Sequence, residues 1–257
     1  MKDKTLPWLT CHNYSKASKK NNQMSNQQIR HPNSESPEFH FETFPDNHES
    51  KFPVVFVLDV SSSMRGRGII ELNKGLQMFE SFFIDDPVAH ASLEVSIVTF
   101  STYAQVIREF SPLGNLSFPK LSAGGRTNLA AGVEMGIHLI QARKQIYKLA
   151  GIQYYRPYIL LISDGAPWPD KCVNRISKAI KTGVKDGAFV FQAFGAGNAC
   201  MKVLGQISHK DFPPQILDGH NYSKFFHLLA PSLSAIISKS VAHKPILLKT
   251  HNHPPFV

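Results

Sequence analysis

The chain has 257 residues, of which 42% are hydrophobic, and this is enough to bury a substantial core in one domain. Its three cysteines are scattered and form no Cys-x-x-Cys pair, which argues against a disulfide framework and favours a reducing compartment. The net charge of +9 predicts attraction to acidic partners, which could be protein, phosphate or nucleic acid.

The two ends of the chain differ from its middle. Residues 1–51 are rich in Asn, Ser, His, Lys and Gln without sustained periodicity, so we expect a disordered N-terminal extension. Residues 241–257 are similar and predict a flexible C-terminal tail. Residues 52–240 hold 19 Lys and Arg against 13 Asp and Glu, so the basic charge belongs to the predicted domain.

No segment of the sequence suggests secretion or membrane insertion. The first residues lack an apolar core long enough for a signal peptide. No run approaches the roughly 20 apolar residues that a membrane helix needs. We therefore expect a cytoplasmic protein with no membrane contact.

Strand-like and helix-like segments alternate through residues 52–240. Short runs rich in β-branched and aromatic residues predict buried strands at 54–58, 93–100, 157–162 and 188–194. Residues 104–110 follow the second run after a very short connection and predict an antiparallel edge strand.

Apolar residues at helical spacing predict helices at 72–83, 129–140 and 222–237, between or after the strands. This alternation predicts an α/β fold, namely a doubly wound, mostly parallel sheet with helices on both faces and one antiparallel edge strand.

Side chains that carry oxygen follow two of the predicted central strands. Asp59, Ser61 and Ser63 come directly after the first strand as Asp-x-Ser-x-Ser, and Asp164 follows the strand at 157–162. Thr127 opens the helix that begins near residue 129. Ligands of such sheets bind at the carboxyl ends of the strands, so these three loops can meet at one place. Carboxylates and hydroxyls are the hard donors that Mg²⁺ takes.

Each motif also has an ordinary structural explanation. Asp59, Ser63 or Thr127 could cap the helix that follows it, and Asp164 with the next glycine could form a turn. The combination of three loops at one predicted edge favours a metal site over capping. The donor set has too little charge to enclose an ion, which suggests a metal that takes a further ligand from outside.

The combination resembles the metal-ion-dependent adhesion site of von Willebrand factor A domains, and the resemblance is carried by Asp59-x-Ser61-x-Ser63-Met64, Thr127 and Ser163-Asp164-Gly165. It covers about residues 52–240 and is greatest to small cytoplasmic bacterial members associated with tellurium resistance. The resemblance implies that Ser61 and Ser63 bind Mg²⁺ directly, with Mn²⁺ or Ca²⁺ as alternatives. It implies that Thr127 binds directly in the ligand-engaged state and that Asp59 and Asp164 act mainly through bound waters.

The resemblance further implies a protein interaction module in which an acidic residue of a partner completes the octahedron around the ion. The partner could be a kinase, a phosphatase or a stress-response assembly. No residue of the motif generates a nucleophile, so we expect binding and not turnover. Two alternatives stay open: a metal-dependent phosphohydrolase that uses Asp59 and Asp164, and a basic scaffold whose ion site is vestigial.

Three features add to this interpretation. Ser62 stands where the family usually has glycine, so the loop must avoid a strongly positive φ there. Arg126 could pair with a partner's carboxylate or phosphate, or it could point into solvent. A basic stripe predicts either a solvated helix face or a docking face, and it consists of Lys171, Arg175, Lys178, Lys181 and Lys185. Aromatic residues are not interleaved with these cations, which disfavours nucleic acid.

Overall fold

The computed structural model describes residues 50–113, 118–165 and 170–238. Its centre is a six-stranded sheet made of β1 Phe52–Asp59, β2 Leu93–Phe100, β3 Ala104–Pro112, β4 Tyr158–Ser163, β5 Val190–Gly195 and β6 Gln215–Ile216. The strand order across the sheet is β3-β2-β1-β4-β5-β6. Every neighbouring pair is parallel except β2 and β3, which are antiparallel.

The burial of each strand follows from its place in the sheet. Every residue of β1, β2, β4 and β5 is buried, as expected of parallel strands that are covered on both faces and therefore read as continuous apolar runs. The edge strand β3 is half-buried or exposed along its length. The predicted antiparallel edge strand is therefore confirmed.

Helices cover both faces of the sheet, and they are α1 Arg67–Phe82, α2 Pro87–Ser92, α3 Leu129–Ala150, α4 Asp170–Lys185, α5 Met201–Ile207 and α6 Tyr222–Ser238. On one face α1 packs against α6, and the ring of Phe56 in β1 contacts Phe79 and Phe226. On the other face α3 lies so close to β1 that a Cβ at Gly136 would be 2.9 Å from Val57. The predicted α/β fold class is confirmed.

The strand order places the candidate site at a topological switch point. The chain moves from β1 outwards through β2 and β3, then returns to the other side of β1 to form β4. Leu58 of β1 pairs with Ile162 of β4, so both strands end at the same level. The loops that carry Asp59 and Asp164 therefore leave the sheet side by side, where ligands of open α/β sheets bind.

The predicted N-terminal extension lies outside the described residues except for its last two positions, and the predicted tail lies wholly outside them. Both stay predictions, as do the domain limits at 52 and 240. Among the helices that the structure describes, none combines the length and the apolar character needed to cross a membrane.

A buried ion pair ties α3 to the sheet away from the candidate site. Glu94 of β2 is 2% exposed and accepts hydrogen bonds from Arg143 Nε at 2.8 Å and from the hydroxyl of Tyr147. Burial raises the pKa of the Tyr147 hydroxyl, and the negative charge of Glu94 raises it further. The carboxylate of Glu94 thus has two partners inside the core.

We predict that Arg143→Met lowers the free energy of unfolding by about 3 kcal/mol or more, because it leaves the buried carboxylate of Glu94 without its cation. Arg175→Met is the matched control. This substitution removes the ion pair between Arg175 and Glu134, whose two side chains are 35% and 30% exposed respectively. It should lower the free energy of unfolding by about 1 kcal/mol or less. Denaturant unfolding of both variants measures the difference, and equal losses would contradict this account of the Glu94 pair.

Candidate metal centre

Three loops meet at the carboxyl edge of β1 and β4, and backbone hydrogen bonds join two of them. The amide of Ser62 donates to Gly125 O at 3.0 Å, and the amide of Gly124 donates to Val60 O at 2.8 Å. These bonds hold the loop after β1 against the loop before α3. Gly125 has a φ of +84°, so the second loop needs glycine there.

The loop after β1 forms a short 3₁₀ turn over Ser62–Met64. Met64 is fully buried and its sulfur accepts a hydrogen bond from the Tyr222 hydroxyl at 3.3 Å, so the turn is anchored to α6. A 3₁₀ turn has negative φ values, which suits serine at position 62. The structure thus accommodates the residue by which this loop departs from the family pattern.

Each of the two carboxylates is held through both of its oxygens. Asp59 accepts the Ser61 amide at Oδ1, at 2.9 Å, and the Ser163 hydroxyl at Oδ2, at 2.6 Å. Asp164 accepts the Ser63 hydroxyl at Oδ1, at 2.6 Å, and its Oδ2 lies 3.1 Å from His220 Nε2. Because these contacts fix both side chains, the site is preorganised.

The hydroxyls of Ser61 and Ser63 are hydrogen-bonded to each other, with their oxygens 2.9 Å apart. Two neighbouring ligands of an octahedral Mg²⁺, each roughly 2.1 Å from the ion, are separated by about 2.9 Å. The two hydroxyls therefore already have the spacing of adjacent ligands of one ion. This distance and the oxygen chemistry of the donors fit the metal that the family resemblance implies.

Thr127 lies next to the other predicted ligands. A Cβ at Gly165 would be 3.0 Å from Thr127 Oγ1 and 3.5 Å from Asp59 Oδ2, so Gly165 of the third loop lies close to both side chains. The structure therefore brings Asp59, Ser61, Ser63, Thr127 and Asp164 to one place. Their roles as metal ligands stay a prediction.

Helix capping does not account for these residues. The cap of α3 is Asn128, whose side chain accepts the Ala131 amide at 3.2 Å, and Thr127 is not used. The residue before α1 is Gly66, which provides no side-chain cap, so Asp59 and Ser63 do not cap that helix. The alternative that treated these oxygens as caps is wrong.

The electrostatics of the site favour a cation. Asp59 is fully buried and Asp164 is 3% exposed. Burial raises the pKa of Asp59, and the nearby charge of Asp164 adds to the rise, although hydrogen bonds from Ser163 and Ser61 oppose it. Burial also raises the pKa of Tyr222, and both carboxylates contribute. A divalent ion would relieve the repulsion between the two acids.

Hydroxyls are essential to any such site. In the described ranges, no group of three or more His, Cys, Asp or Glu side chains is placed to hold an ion by itself. Ser61, Ser63 and Thr127 would therefore supply the neutral part of the ligand set. Such a set suits Mg²⁺, which keeps several waters and uses few carboxylates.

The structure adds His220, which the sequence-based prediction missed. It lies between β6 and α6, and its side chain is 28% exposed. Two glycines make room for the ring, because a Cβ at Gly197 would be 2.8 Å from it and one at Gly68 would be 3.2 Å away. The position of His220 after the last parallel strand is the signal that could have identified it.

The cations named from the sequence have different surroundings. Arg126 is exposed, and its backbone amide donates to Thr102 Oγ1 at 3.0 Å. In the basic stripe, Arg175 pairs with Glu134 of α3, whereas Lys178, Lys181 and Lys185 are exposed. The stripe is therefore not one continuous solvated face.

Part of the chain is similar to a known family of domains. Residues 54–166 match the family model of the von Willebrand factor type A domain, and all five predicted ligands lie in that segment. Domains of this family are often metal-dependent modules that mediate protein–protein interaction, and most are not enzymes. The sequence has no significant match among curated proteins.

Solved structures share the fold at low sequence identity. The pilus adhesin SpaC from Lactobacillus rhamnosus GG has a TM-score of 0.54 and 14% identity, over 75% of this chain and 32% of SpaC. A D319A mutant of the minor pilin PilB from Streptococcus sanguinis has a TM-score of 0.53 and 16% identity, over 78% of this chain and 65% of PilB. The chain thus spans less than two thirds of either protein.

Proximal thread matrix protein 1 from the mussel byssus, in a structure with zinc in its adhesion-site motif, is less similar. Its TM-score is 0.46 and its identity 16%, over 76% of this chain and 46% of that protein. Residues 54–166 of this chain are thus similar to the von Willebrand factor type A domain, and SpaC and PilB share the fold of the chain.

Proposed function

We propose that the protein is a Mg²⁺-dependent interaction module whose adhesion site binds an acidic residue of a partner protein. The observation that carries the proposal is the convergence of five oxygen-bearing side chains at the switch point of the sheet. Within that cluster the Ser61 and Ser63 hydroxyls already have the spacing of adjacent ligands of one ion.

The donor set favours binding over chemistry. Ser61, Ser63 and Thr127 would hold the ion with neutral oxygens, and Asp59 and Asp164 would act through waters, as the family resemblance implies. When bound, the ion would supply a strongly electrophilic coordination position for an incoming carboxylate. Because both oxygens of Asp59 accept hydrogen bonds, this carboxylate is positioned to orient its neighbours and not to attack a substrate.

The surface around the site suits an acidic partner. Arg65 and Arg67 follow the first loop, Arg126 precedes Thr127, and all three arginines are exposed. Arg65 also reaches the second loop, where its side chain lies 3.7 Å from the position of a Cβ at Gly124. These cations would raise the local concentration of an acidic surface and speed its association.

The finer features of the proposal rest on the family resemblance and on composition. They are Mg²⁺ as the ion, a kinase or phosphatase as the partner, and a bacterial, cytoplasmic setting linked to tellurium resistance or stress response. The scattered cysteines agree with a reducing compartment. A pull-down from native extract with and without Mg²⁺ would identify the partner.

We predict that Ser63→Ala weakens Mg²⁺ binding roughly tenfold or more, because it removes one hydroxyl of the ligand set. Ser81→Ala is the matched control, since Ser81 is also exposed and its hydroxyl donates to the backbone oxygen of Gln77. Calorimetric titration measures the affinity. In wild-type protein, Mg²⁺ at 100 times its dissociation constant should stabilise the fold by about 2.7 kcal/mol. Equal Mg²⁺ affinity in the two variants would count against the site.

We predict that Asp59→Asn stabilises the metal-free protein at neutral pH while it abolishes Mg²⁺ binding. Asparagine keeps the shape of the side chain and removes a buried charge whose pKa the fold raises. Ionisation of Asp59 lowers the stability of the folded wild-type protein. This loss is absent below the pKa that Asp59 has in the unfolded chain and complete above its pKa in the folded protein. In chelator, the stability advantage of the variant should therefore shrink as the pH falls through that window. Thermal unfolding across pH checks this, and a pH-independent difference would contradict it.

We predict that capture of the partner is lost in chelator, in Asp59→Ala and in Thr127→Ala, while the fold survives in all three cases. The physical reason is that the partner's carboxylate binds through the ion. A pull-down with circular dichroism as the folding control makes the measurement.

Two results would overturn the metal-bridge proposal. Capture that persists in all three conditions would show that the partner does not bind through an ion. Steady hydrolysis of a phosphate ester, abolished by Asp59→Asn, would instead favour the phosphohydrolase.

A further inference from the structure

A cavity lies at the edge of the sheet opposite the metal centre, by the amino ends of β1 and β4. It has a volume of about 760 Å³, which is within the range of small-molecule sites. Its walls come from the end of α3, the connection from α3 to β4, the first residues of β1 and β4, the residues before β5, and α6. None of the residues that line it belongs to the metal centre.

Five aromatic side chains lie around the cavity. Tyr154 and Tyr155 are half-buried and can present their rings to it, whereas Phe52, Tyr147 and Tyr158 are buried behind them. The rings of Tyr147 and Tyr154 are 5.2 Å apart with an interplanar angle of 30°. The ring of Phe52 contacts Tyr155 and Tyr158 edge-on, at 6.1 and 5.3 Å. The buried rings thus hold Tyr154 and Tyr155 in place, and the accessible parts of these two rings offer a preformed surface for a planar ligand.

The charges of the cavity are all positive. Among the described residues that line it, Lys144, Lys148 and Arg156 are cations and none is an Asp or Glu. Burial lowers the pKa of Lys144, and the charge of Arg156 lowers it further. The buried acid behind the aromatic wall, Glu94, is already paired with Arg143. The cavity therefore brings like charges together without a carboxylate in its wall.

Backbone contacts account for part of this arrangement. Arg156 donates through one terminal nitrogen to Val184 O and to Phe189 O, and Lys144 donates to Ala188 O at 3.2 Å. These bonds tie α3 and the α3–β4 connection to the end of α4 and the segment before β5. Carbonyl oxygens carry only partial charge, however, and the buried Nε of Arg156 has no hydrogen-bond partner. The structural role leaves the cationic charge of both side chains without a carboxylate partner among the described residues that line the cavity.

We propose that this cavity binds a small anion that carries an aromatic ring. The ring would pack against the tyrosine wall, and the anionic group would lie among Lys144, Lys148 and Arg156, where it would offset their repulsion. Aromatic packing and charge-assisted hydrogen bonds are each strong enough to matter in a partly enclosed site, and their combination selects a ligand that has both groups. The proposal is independent of the metal centre, which lies at the other edge of the sheet.

Calorimetric titration of the full chain tests the proposal, with adenosine monophosphate and phenyl phosphate as probes. Chelator is present throughout, so that a phosphate cannot bind through a metal ion. At least one probe should bind saturably, and roughly tenfold more tightly than inorganic phosphate or adenosine alone, because each of these offers only half of the required chemistry.

Variants assign the binding to this cavity. Lys144→Gln and Lys148→Gln should each weaken probe binding roughly threefold to tenfold, since each removes one charged donor. Lys224→Gln is the matched control, because Lys224 is exposed at the start of α6 and does not line the cavity. Lys148 is exposed, so its replacement tests the site without disturbing the fold.

The proposal is overturned if neither probe binds at millimolar concentration. It is also overturned if inorganic phosphate binds as tightly as the probes, because the ring would then contribute nothing. Probe binding that is unchanged in both lysine variants, or that is lost in Asp59→Ala, would place the ligand elsewhere on the protein.

Discussion

The fold places two carboxylates close together at the buried carboxyl edge of the sheet. Asp59 and Asp164 end or follow adjacent strands that are covered on both faces, and the pairing of β1 with β4 leaves them at the same level. Neither acid can move into solvent without disrupting its strand. The protein therefore surrounds them with hydroxyls and one histidine, and the loops around the site are built to hold those donors. A cation is the natural complement of this arrangement.

The hydroxyls determine whether a bound cation can still take a ligand from outside the protein. Carboxylates that coordinated the ion directly would neutralise it and close the site. Here Ser63 donates to Asp164 and Ser163 donates to Asp59, so the acids are engaged with hydroxyls. An ion held by neutral oxygens keeps most of its charge for an external ligand. A ligand set of neutral oxygens therefore favours a contact with an acidic partner over a catalytic centre. The exposed arginines nearby would also attract an acidic partner.

Much of this arrangement could be predicted from the sequence, because the signals were local. Buried parallel strands appear as unbroken apolar runs, and oxygen-bearing residues directly after two such runs must come together at the sheet edge. What could not be predicted depends on long-range packing. His220 reaches Asp164 only because glycines at positions 68 and 197 leave space for its ring. A capping role for Thr127, the less favoured alternative from the sequence, is excluded because Asn128 caps α3.

The cavity at the other edge was invisible in the sequence for the same reason. Lys144 and Lys148 lie on a helix, where a sequence pattern predicts solvated charges, whereas Tyr154, Tyr155 and Arg156 lie in a connection without periodicity. Only the parallel arrangement brings the end of α3, the start of β4 and the segment before β5 to one place. The two edges of the sheet thus carry different kinds of side chain. Buried acids and hydroxyls gather at its carboxyl edge, and cations and aromatic rings gather at its amino edge. Because β1 and β4 run between the two edges, these buried strands form a rigid connection between them.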